Sequence, residues 1–437
     1  MLERRAKCQE RFRSRGWKRF GPRIVVLLGA LFFLGPGPVR AQNPSNEELR
    51  ETVQRLVDQV QQLQSKVNEL EAKQSGNGAA GSVPGNAPAA AQAAAPPEPQ
   101  ESTKVPGHTM DIPGGPQMHI QGFTHMGFAG TSQKGATNGF FLGNFDMFIT
   151  SRLSEKFSML AELNFEAGED NNLGVDLERM LLLYKQSDYF QLGFGRYHTH
   201  IGYYNNAYHH GNWFETATGR PFLFLFEDQG GILPVHNVGL SLRGAIPSGR
   251  LGLHYAAELG NGRPARHPQN STVQNLFDEN NGKSFNLAAY VRPEWAPGLQ
   301  AGLSIYHDHL IPDLPPRIQE TIPAAYIVYI TPKFEFLNEG MLVRHSFDNT
   351  NRVLNMPGFY TQIGRQWGPV RPYFRYQYLN TSPLDPVLGD AGRMHGPSAG
   401  IRYDWSEFAA LKLQYDHNYH RGRSADNHVT GLLAFTF

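Results

Sequence analysis

The chain is predicted to be an all-β transmembrane barrel of about 16 antiparallel strands, and three observations predict it. The first is its end. From His428 to Phe437, Phe437, Phe435, Leu433, Gly431 and Val429 share one face of an extended strand, while Thr436, Ala434, Leu432, Thr430 and His428 share the other. A strand that stops uncapped on an aromatic needs a neighbour along its free edge, and barrel closure supplies one. The second is a hydrophobic period of two that begins near Gln117 and persists to the terminus. The third is the connections, which alternate between long polar segments and tight turns, as in a barrel with loops on one side and turns on the other.

The N-terminus reads as an export signal. Residues 1–23 carry nine Lys and Arg, an apolar run follows from Ile24 to Leu34, and Val39-Arg40-Ala41 precedes Gln42. Basic, apolar and small residues in that order define a signal peptide over 1–41, and the apolar run is too short to span a bilayer as a helix. The single cysteine, Cys8, falls inside it, so the mature chain is expected to form no disulfide. Of 40 Lys and Arg and 39 Asp and Glu, the signal removes ten and two, leaving a net charge of about −7. That balance disfavours nucleic acid as a partner. No later stretch offers eighteen apolar residues in a row, which excludes a helix bundle in lipid.

Residues 42–73 are predicted to form a coiled coil. Leu49, Val53, Leu56, Val60, Leu63, Val67 and Leu70 are spaced alternately four and three apart, which is a heptad seam. Val alternating with Leu favours two strands, whereas Val57, Gln59 and Gln64 widen the seam and leave a third helix open. Residues 74–106 are a Gly/Ala/Pro linker that cannot bury enough apolar surface to fold. The barrel is assigned to 107–437.

Its predicted strands are 118–129, 138–151, 157–167, 177–186, 189–195, 236–246, 249–260, 284–294, 299–308, 322–331, 333–345, 358–367, 369–380, 397–405, 408–420 and 428–437. In the strand 369–380, Arg371, Tyr373, Arg375 and Gln377 share one face and Pro372, Phe374, Tyr376 and Tyr378 the other. Polar residues inside and apolar ones outside predict a wet lumen. Odd-numbered connections are expected to be long, such as 168–174, 261–283 and 381–396. Even-numbered ones are expected to be short, such as 186–188 and 247–249.

The longest connection, Arg196 to Val235, exceeds what a surface crossing needs, so it is expected to be ordered and functional. It contains Gly195-Arg-Tyr-His-Thr-His-Ile-Gly-Tyr-Tyr, then Thr218-Gly-Arg-Pro221, and Phe226-Glu-Asp-Gln-Gly-Gly231. With the signal, the coil, the barrel pattern and the terminal Phe, this chain resembles bacterial outer-membrane porins grouped with the phosphate-selective porin O and P superfamily. The resemblance implies a sixteen-stranded homotrimer whose third loop folds inward to narrow the pore. It also implies passive diffusion of small hydrophilic or anionic solutes, in a barrel seated in outer-membrane lipid with the coil in the periplasm. The chain departs from the phosphate-selective pattern: the loop has Arg196 and Arg220 but no Lys, and carries Glu215, Glu227 and Asp228.

Face assignment places Arg243, Arg292, Arg371, Arg375, Arg402 and Lys412 on inward faces of later strands, and Asp146, Glu162 and Glu166 on inward faces of early ones. Opposed charges across a narrow constriction orient dipolar solutes, so these residues, with Arg196, Arg220, Glu227 and Asp228, are the candidate pore lining. His198, His200, His209 and His210 cluster in the loop without an acid or Cys at ligand spacing, and polar packing is the simpler reading than a metal site. Gly-x-Ser-x-Gly, His-Glu-x-x-His and phosphate-cradling Gly-Lys-Ser/Thr motifs are absent, so no enzyme activity and no cofactor are expected. The alternative function is a structural tether, with the coil contacting the cell wall and the barrel as anchor.

Overall fold

The computed structural model describes residues 108–110, 117–168, 171–208, 211–265, 275–312 and 316–437. Contacts divide the chain into Met1–Asn86 and Ala87–Phe437. The first unit lies outside the described residues, as do the expected signal and coiled coil and the linker.

Within the second unit, a short strand β1 (His108–Met110) precedes sixteen long ones. The first group is β2 (Gln117–Thr131), β3 (Gly139–Arg152), β4 (Phe157–Ala167), β5 (Leu173–Ser187) and β6 (Phe190–His198). Then come β7 (His236–Ile246), β8 (Leu253–Gly260), β9 (Ser284–Val291), β10 (Leu299–Leu310), β11 (Ile318–Ile330) and β12 (Phe334–Phe347). The chain finishes with β13 (Val353–Arg365), β14 (Val370–Asn380), β15 (Arg393–Asp404), β16 (Ala409–His420) and β17 (Arg423–Thr436). Each pairs antiparallel with the next, and β17 returns to β2 in the register Thr436↔Phe123 to His428↔Thr131, closing a sixteen-stranded barrel. Closure leaves the wall without a free edge, the condition a sheet must meet in lipid.

The terminal Phe completes the seam. Phe437 N–H donates to Gly122 O and Gly122 N–H to Phe437 O, each at 2.9 Å. Beyond that point the same edge of β2 is taken by β1, at Met110↔Met118 to His108↔Ile120.

Outward faces carry large exposed apolar side chains, among them Phe140, Leu142, Met180, Phe194, Leu287, Leu303 and Leu413. Phe157, Tyr189, Trp295, Trp367, Trp405 and Phe408 ring the turn end, also exposed. A continuous apolar band bounded by aromatics is not tolerated on a protein surrounded by water, but it matches a bilayer.

Two expectations need correction. The connection between β16 and β17 is a two-residue turn, Arg421-Gly422, because β17 begins at Arg423 and extends well beyond the last apolar pair. Loop 3 begins at Thr199, since Arg196, Tyr197 and His198 continue β6 by pairing with Val238, Asn237 and His236 of β7.

The lumen is also less wet than the alternation suggested. The inward faces of β10 to β13 carry Tyr306, Leu310, Ile318, Ile322, Val328, Leu337, Met341, Val343, Met356 and Tyr360, all buried. Apolar residues stand on both faces of these strands, as in any sheet covered on both sides. Loop 3 is the inner cover.

Candidate functional site

Loop 3 (residues 199–235) lies within the barrel and is held there along its length. Its entry carries a sharp turn at Gly202, with φ +74°, a conformation that favours glycine. A side chain there would meet the Glu339 carboxylate. That carboxylate accepts Tyr203 N–H at 2.6 Å and Tyr204 N–H at 3.0 Å, and also the Tyr360 hydroxyl at 2.6 Å. Charge-assisted bonds of this kind are short and strong. Ile201, Tyr203, Tyr204, Tyr208, Leu223, Phe224, Ile232 and Leu233 then form one apolar core with the wall of β10 to β14. Tyr204 stacks on Phe224 at 5.1 Å between ring centroids, and both meet Tyr360 edge-on at 6.2 Å.

The middle of the loop, 212–219, is attached differently. Its carbonyls face the cations of β14 to β16. Lys412 Nζ donates to Asn212 O, to Glu215 O at 2.6 Å and to Ala217 O at 2.8 Å. Arg402 Nη1 donates to Trp213 O at 2.6 Å and Glu215 O at 2.8 Å, and its Nε to Asp404 Oδ1 at 2.6 Å. Arg375 Nη1 reaches Gly219 O at 2.6 Å. Arg371 Nη1 donates to Thr216 Oγ1 at 3.2 Å, with Glu335 Oε2 3.7 Å away. Four of the inward cations that the sequence assigned to a solute path, Arg371, Arg375, Arg402 and Lys412, therefore bind the loop, and the last three are buried beneath it. Arg371 keeps the most access of the two arginines on β14, with 15% of its side chain exposed.

The wall residues that complete this latch were not singled out by sequence. Glu335 accepts Thr216 Oγ1–H at 2.8 Å and Gln362 Nε2–H at 2.6 Å. Gln377 accepts Phe222 N–H at 3.0 Å, and Gln414 accepts Thr218 N–H at 3.1 Å. Their signal was present: all fall at alternate positions on the inward faces of predicted strands, where a polar amide or carboxylate has a loop backbone to satisfy.

The acidic side is not a bare face either. Glu162 Oε2 is 2.6 Å from Arg179 Nε and 3.8 Å from His198 Nε2. Glu166 accepts from Asn164 at 2.5 Å and from Asn144 at 3.2 Å, and Asp146 is buried. Arg196 is buried on β6 and its Nε donates to Glu178 O at 3.0 Å. Arg243 Nε donates to Gln191 Oε1 at 3.2 Å on the open wall of β7. Arg220 lies over the Phe226 ring at 3.9 Å and donates to Phe224 O within the loop. Glu227 accepts His236 N–H and Asn275 Nδ2–H, each at 3.1 Å, securing the exit of loop 3 to β7 and to the connection between β8 and β9. Asp228 follows it in a short 3-10 turn, Glu227–Gln229.

Of the loop histidines, His200 Nδ1 sits 2.5 Å from Glu258 Oε1 and His198 stacks edge-on with His236 at 5.4 Å. His209 and His210 lie outside the described residues. Within the loop, burial pushes the Glu215 carboxyl above its usual range, opposed by Lys412 and Arg375 and by the Tyr204 hydroxyl that donates to it at 2.7 Å.

Each of the sixteen wall strands buries at least one inward side chain, from Phe123 on β2, through Glu258, Tyr306 and Tyr360, to Ala434 on β17. The arrangement defines an outer-membrane-type barrel with an ordered internal loop.

No family model matches the chain, and no curated protein does. Among solved structures, OmpF of Salmonella typhi in complex with daunomycin aligns with a TM-score of 0.55 at 11% identity, over 76% of this chain and 100% of that one. The anion-selective porin from Comamonas acidovorans gives 0.52 at 12%, over 73% and 99%. The outer-membrane channel DcaP of Acinetobacter baumannii gives 0.51 at 11%, over 75% and 99%. At such identities the likeness shows the fold: this chain has the architecture of bacterial outer-membrane porins.

Proposed function

We propose that the chain is an outer-membrane porin that passes small hydrophilic or anionic solutes by passive diffusion, with loop 3 setting the limiting aperture. The observation that carries this reading is a closed barrel, apolar outside, whose longest loop is folded inside and tied to its wall. Arg371, the least covered of the β14 pair, is the candidate for meeting a passing solute, while Arg375, Arg402 and Lys412 position the loop. The remaining charges named from sequence, Arg196, Arg220, Arg243, Asp146, Glu162, Glu166, Glu227 and Asp228, shape the field around that path. Residues 1–41 would direct export, and the coil at 42–73 would stand in the periplasm on its linker and support a homotrimer.

The test is planar-bilayer recording on the full mature chain. Shortening loop 3 between Tyr203 and Leu233 should raise conductance and relax solute-size exclusion, with heat-modifiable migration on gels verifying the barrel. Unchanged conductance after a verified deletion would place the constriction elsewhere. Removing 43–106 should leave a conducting barrel, because strand closure uses none of those residues.

A further inference from the structure

The connection between β14 and β15, residues 381–392, turns into the barrel at its loop end. Its base is closed by Thr381 N–H, which donates to Gly392 O at 2.8 Å. Val387 and Leu388 are 1% exposed and join the apolar core that loop 3 forms with the wall. Asp385 Oδ1 accepts Val387 N–H at 3.0 Å and Leu388 N–H at 2.8 Å. The other carboxylate oxygen, Oδ2, leaves the loop and meets the wall, where His345 Nδ1 lies 2.7 Å from it. Because β13 stands between β12 and β14, this contact reaches across a whole strand.

His345 belongs to an inward row with the register Asp308↔Glu320↔His345↔Leu354 across β10, β11, β12 and β13. Buried Leu310, Ile318 and Phe347 flank that row toward the loops, and buried Tyr306, Ile322 and Val343 flank it on the other side. His345 Nε2 is 2.8 Å from Glu320 Oε2, and the side chains of His345, Glu320 and Asp385 are 0% exposed. Arg263, from the connection between β8 and β9, places Nη2 2.8 Å from the same Glu320 oxygen, and its Nη1 donates to Ile232 O of loop 3 at 2.8 Å. Asp308 accepts Arg263 N–H at 3.0 Å and the Tyr306 hydroxyl at 2.9 Å. An ionised carboxylate only accepts, so an imidazole between two of them carries a proton on each nitrogen. Arg263, Glu320, His345 and Asp385 are then two cations and two anions in contact, and buried charges persist only when paired in this way. Burial opposes ionisation of Asp385, yet the hydrogen bond and charge of His345, with the N–H groups of Leu388 and Val387, hold its carboxyl below the ordinary carboxylate range.

We propose that residues 381–392 are a pH-sensitive lid at the loop end of the lumen, latched by protonated His345 between Glu320 of the wall and Asp385 of the lid. Latched, the three groups hold a proton that the released loop gives up once pH passes the ordinary histidine range. The latch therefore contributes fully at acid pH, and its contribution is lost as pH rises. Losing that proton would leave one of the two carboxylates uncompensated in an apolar surround, which favours release of the loop that carries Asp385. His236 repeats the arrangement at the exit of loop 3, with Nε2 2.7 Å from Glu178 Oε2 and Nδ1 3.3 Å from Glu227 Oε2, so the lid has to be read by a probe of its own. The inference goes beyond the channel reading by giving the outer mouth a control, and it rests on that reading only for the effect on conductance.

Residues 42–437 contain no cysteine, so Leu384→Cys, at a position 69% exposed in this loop, takes a spin label at one place. In the mature full-length barrel, verified by heat-modifiable migration, the label should be held at about pH 6, and the ratio of mobile to held label should rise about tenfold by about pH 9, as loss of one charge-assisted hydrogen bond predicts. His345→Gln should give a mobile label at both pH values, and His307→Gln, on the outward face of β10, should behave as the unaltered barrel. Asp385→Asn keeps an oxygen for the Val387 and Leu388 N–H groups but loses the charge that His345 meets, so it should shrink the response. That variant carries the test if His345→Gln fails to fold. Equal mobility at both pH values in the unaltered barrel, or a full response surviving in His345→Gln or Asp385→Asn, would overturn the latch. Conductance should rise over the same pH range. Release of the label without a rise in conductance would count against the channel reading and leave the latch standing.

Discussion

Loop 3 is fastened by two different means, and the contrast between them is the main lesson of the molecule. The flanking arms, 201–208 and 222–235, sit in an apolar core against β10 to β14. The middle, 212–219, has its carbonyls on Lys412, Arg402 and Arg375. Apolar burial holds the arms without direction, roughly in proportion to area. The middle is held by oriented, charge-assisted hydrogen bonds, each of which has one geometry and can be exchanged for water or an anion.

The largest effect should come from the apolar arm. Phe224 is fully buried between Tyr204 and Tyr360, so Phe224→Ala should cost about 3–5 kcal/mol, as truncation of a buried aromatic usually does. Hydrogen exchange should accelerate throughout 201–208 and 222–235, while 212–219 keeps most of its protection. Uniform loosening of both segments would show that the two attachments are one cooperative unit. Lys412→Met should come next, because it leaves the carbonyls of Asn212 and Ala217 without this donor and Glu215 O with Arg402 alone. The expected cost is on the order of 1–3 kcal/mol for each group left unsatisfied, reduced by whatever water enters. The signature should be the converse of the first: exchange accelerates in 212–219 alone, and single-channel conductance rises.

How much of this was legible in the sequence follows the same division. The barrel, its strand positions, the inward faces of β4 and β14 and the closing role of Phe437 could all be read, because a period of two constrains every residue along a strand. That loop 3 is ordered was expected from its length, and its inward position from the resemblance to porins. Its partners were not legible. A cation on an inward face looks the same whether it meets a solute or a loop carbonyl 195 residues away, as Lys412 and Ala217 do. The apolar inner wall was missed for a related reason. Tyr306, Ile322 and Met341 face a lumen that was expected to be wet, and only the seated loop explains why they point inward. The length of β17 was underestimated because Arg423 to Asn427 is polar and lies beyond the apolar band.

The polar span should also respond to pH. Burial raises the Glu215 carboxyl above its ordinary range, with Lys412, Arg375 and Tyr204 opposing the shift. A carboxyl whose folded value is raised stabilises the seated loop fully below the ordinary carboxyl range, and that contribution is lost as pH rises through the raised value. Protection of 212–219 should therefore fall as pH is raised above the ordinary carboxyl range. Glu215→Gln should abolish the pH dependence, since it cannot titrate. A slope that persists in Glu215→Gln would assign the effect to another group.

The smallest effect should be on ion preference. Arg371 donates only to Thr216 Oγ1 and to a Gln366 side chain, and its distance to Glu335 of 3.7 Å is that of a loose pair, so its charge is the one least committed to the latch. A charge with 15% of its side chain exposed is partly screened, and its influence on a passing ion is worth about 1 kcal/mol or less at physiological salt. Arg371→Glu alone should shift reversal potential modestly toward cations, and the shift should shrink as salt rises. Adding Arg375→Glu should do more, but for a different reason: that residue holds Gly219 O and Gln362, so its reversal would disturb the loop as well as the field. The two contributions separate by salt. A field effect fades at high ionic strength, whereas a loosened loop keeps its raised conductance. If Arg371→Glu leaves reversal potential unchanged at low salt while Arg375→Glu alters conductance at every salt, the cations of β14 act on the loop and not on the ion.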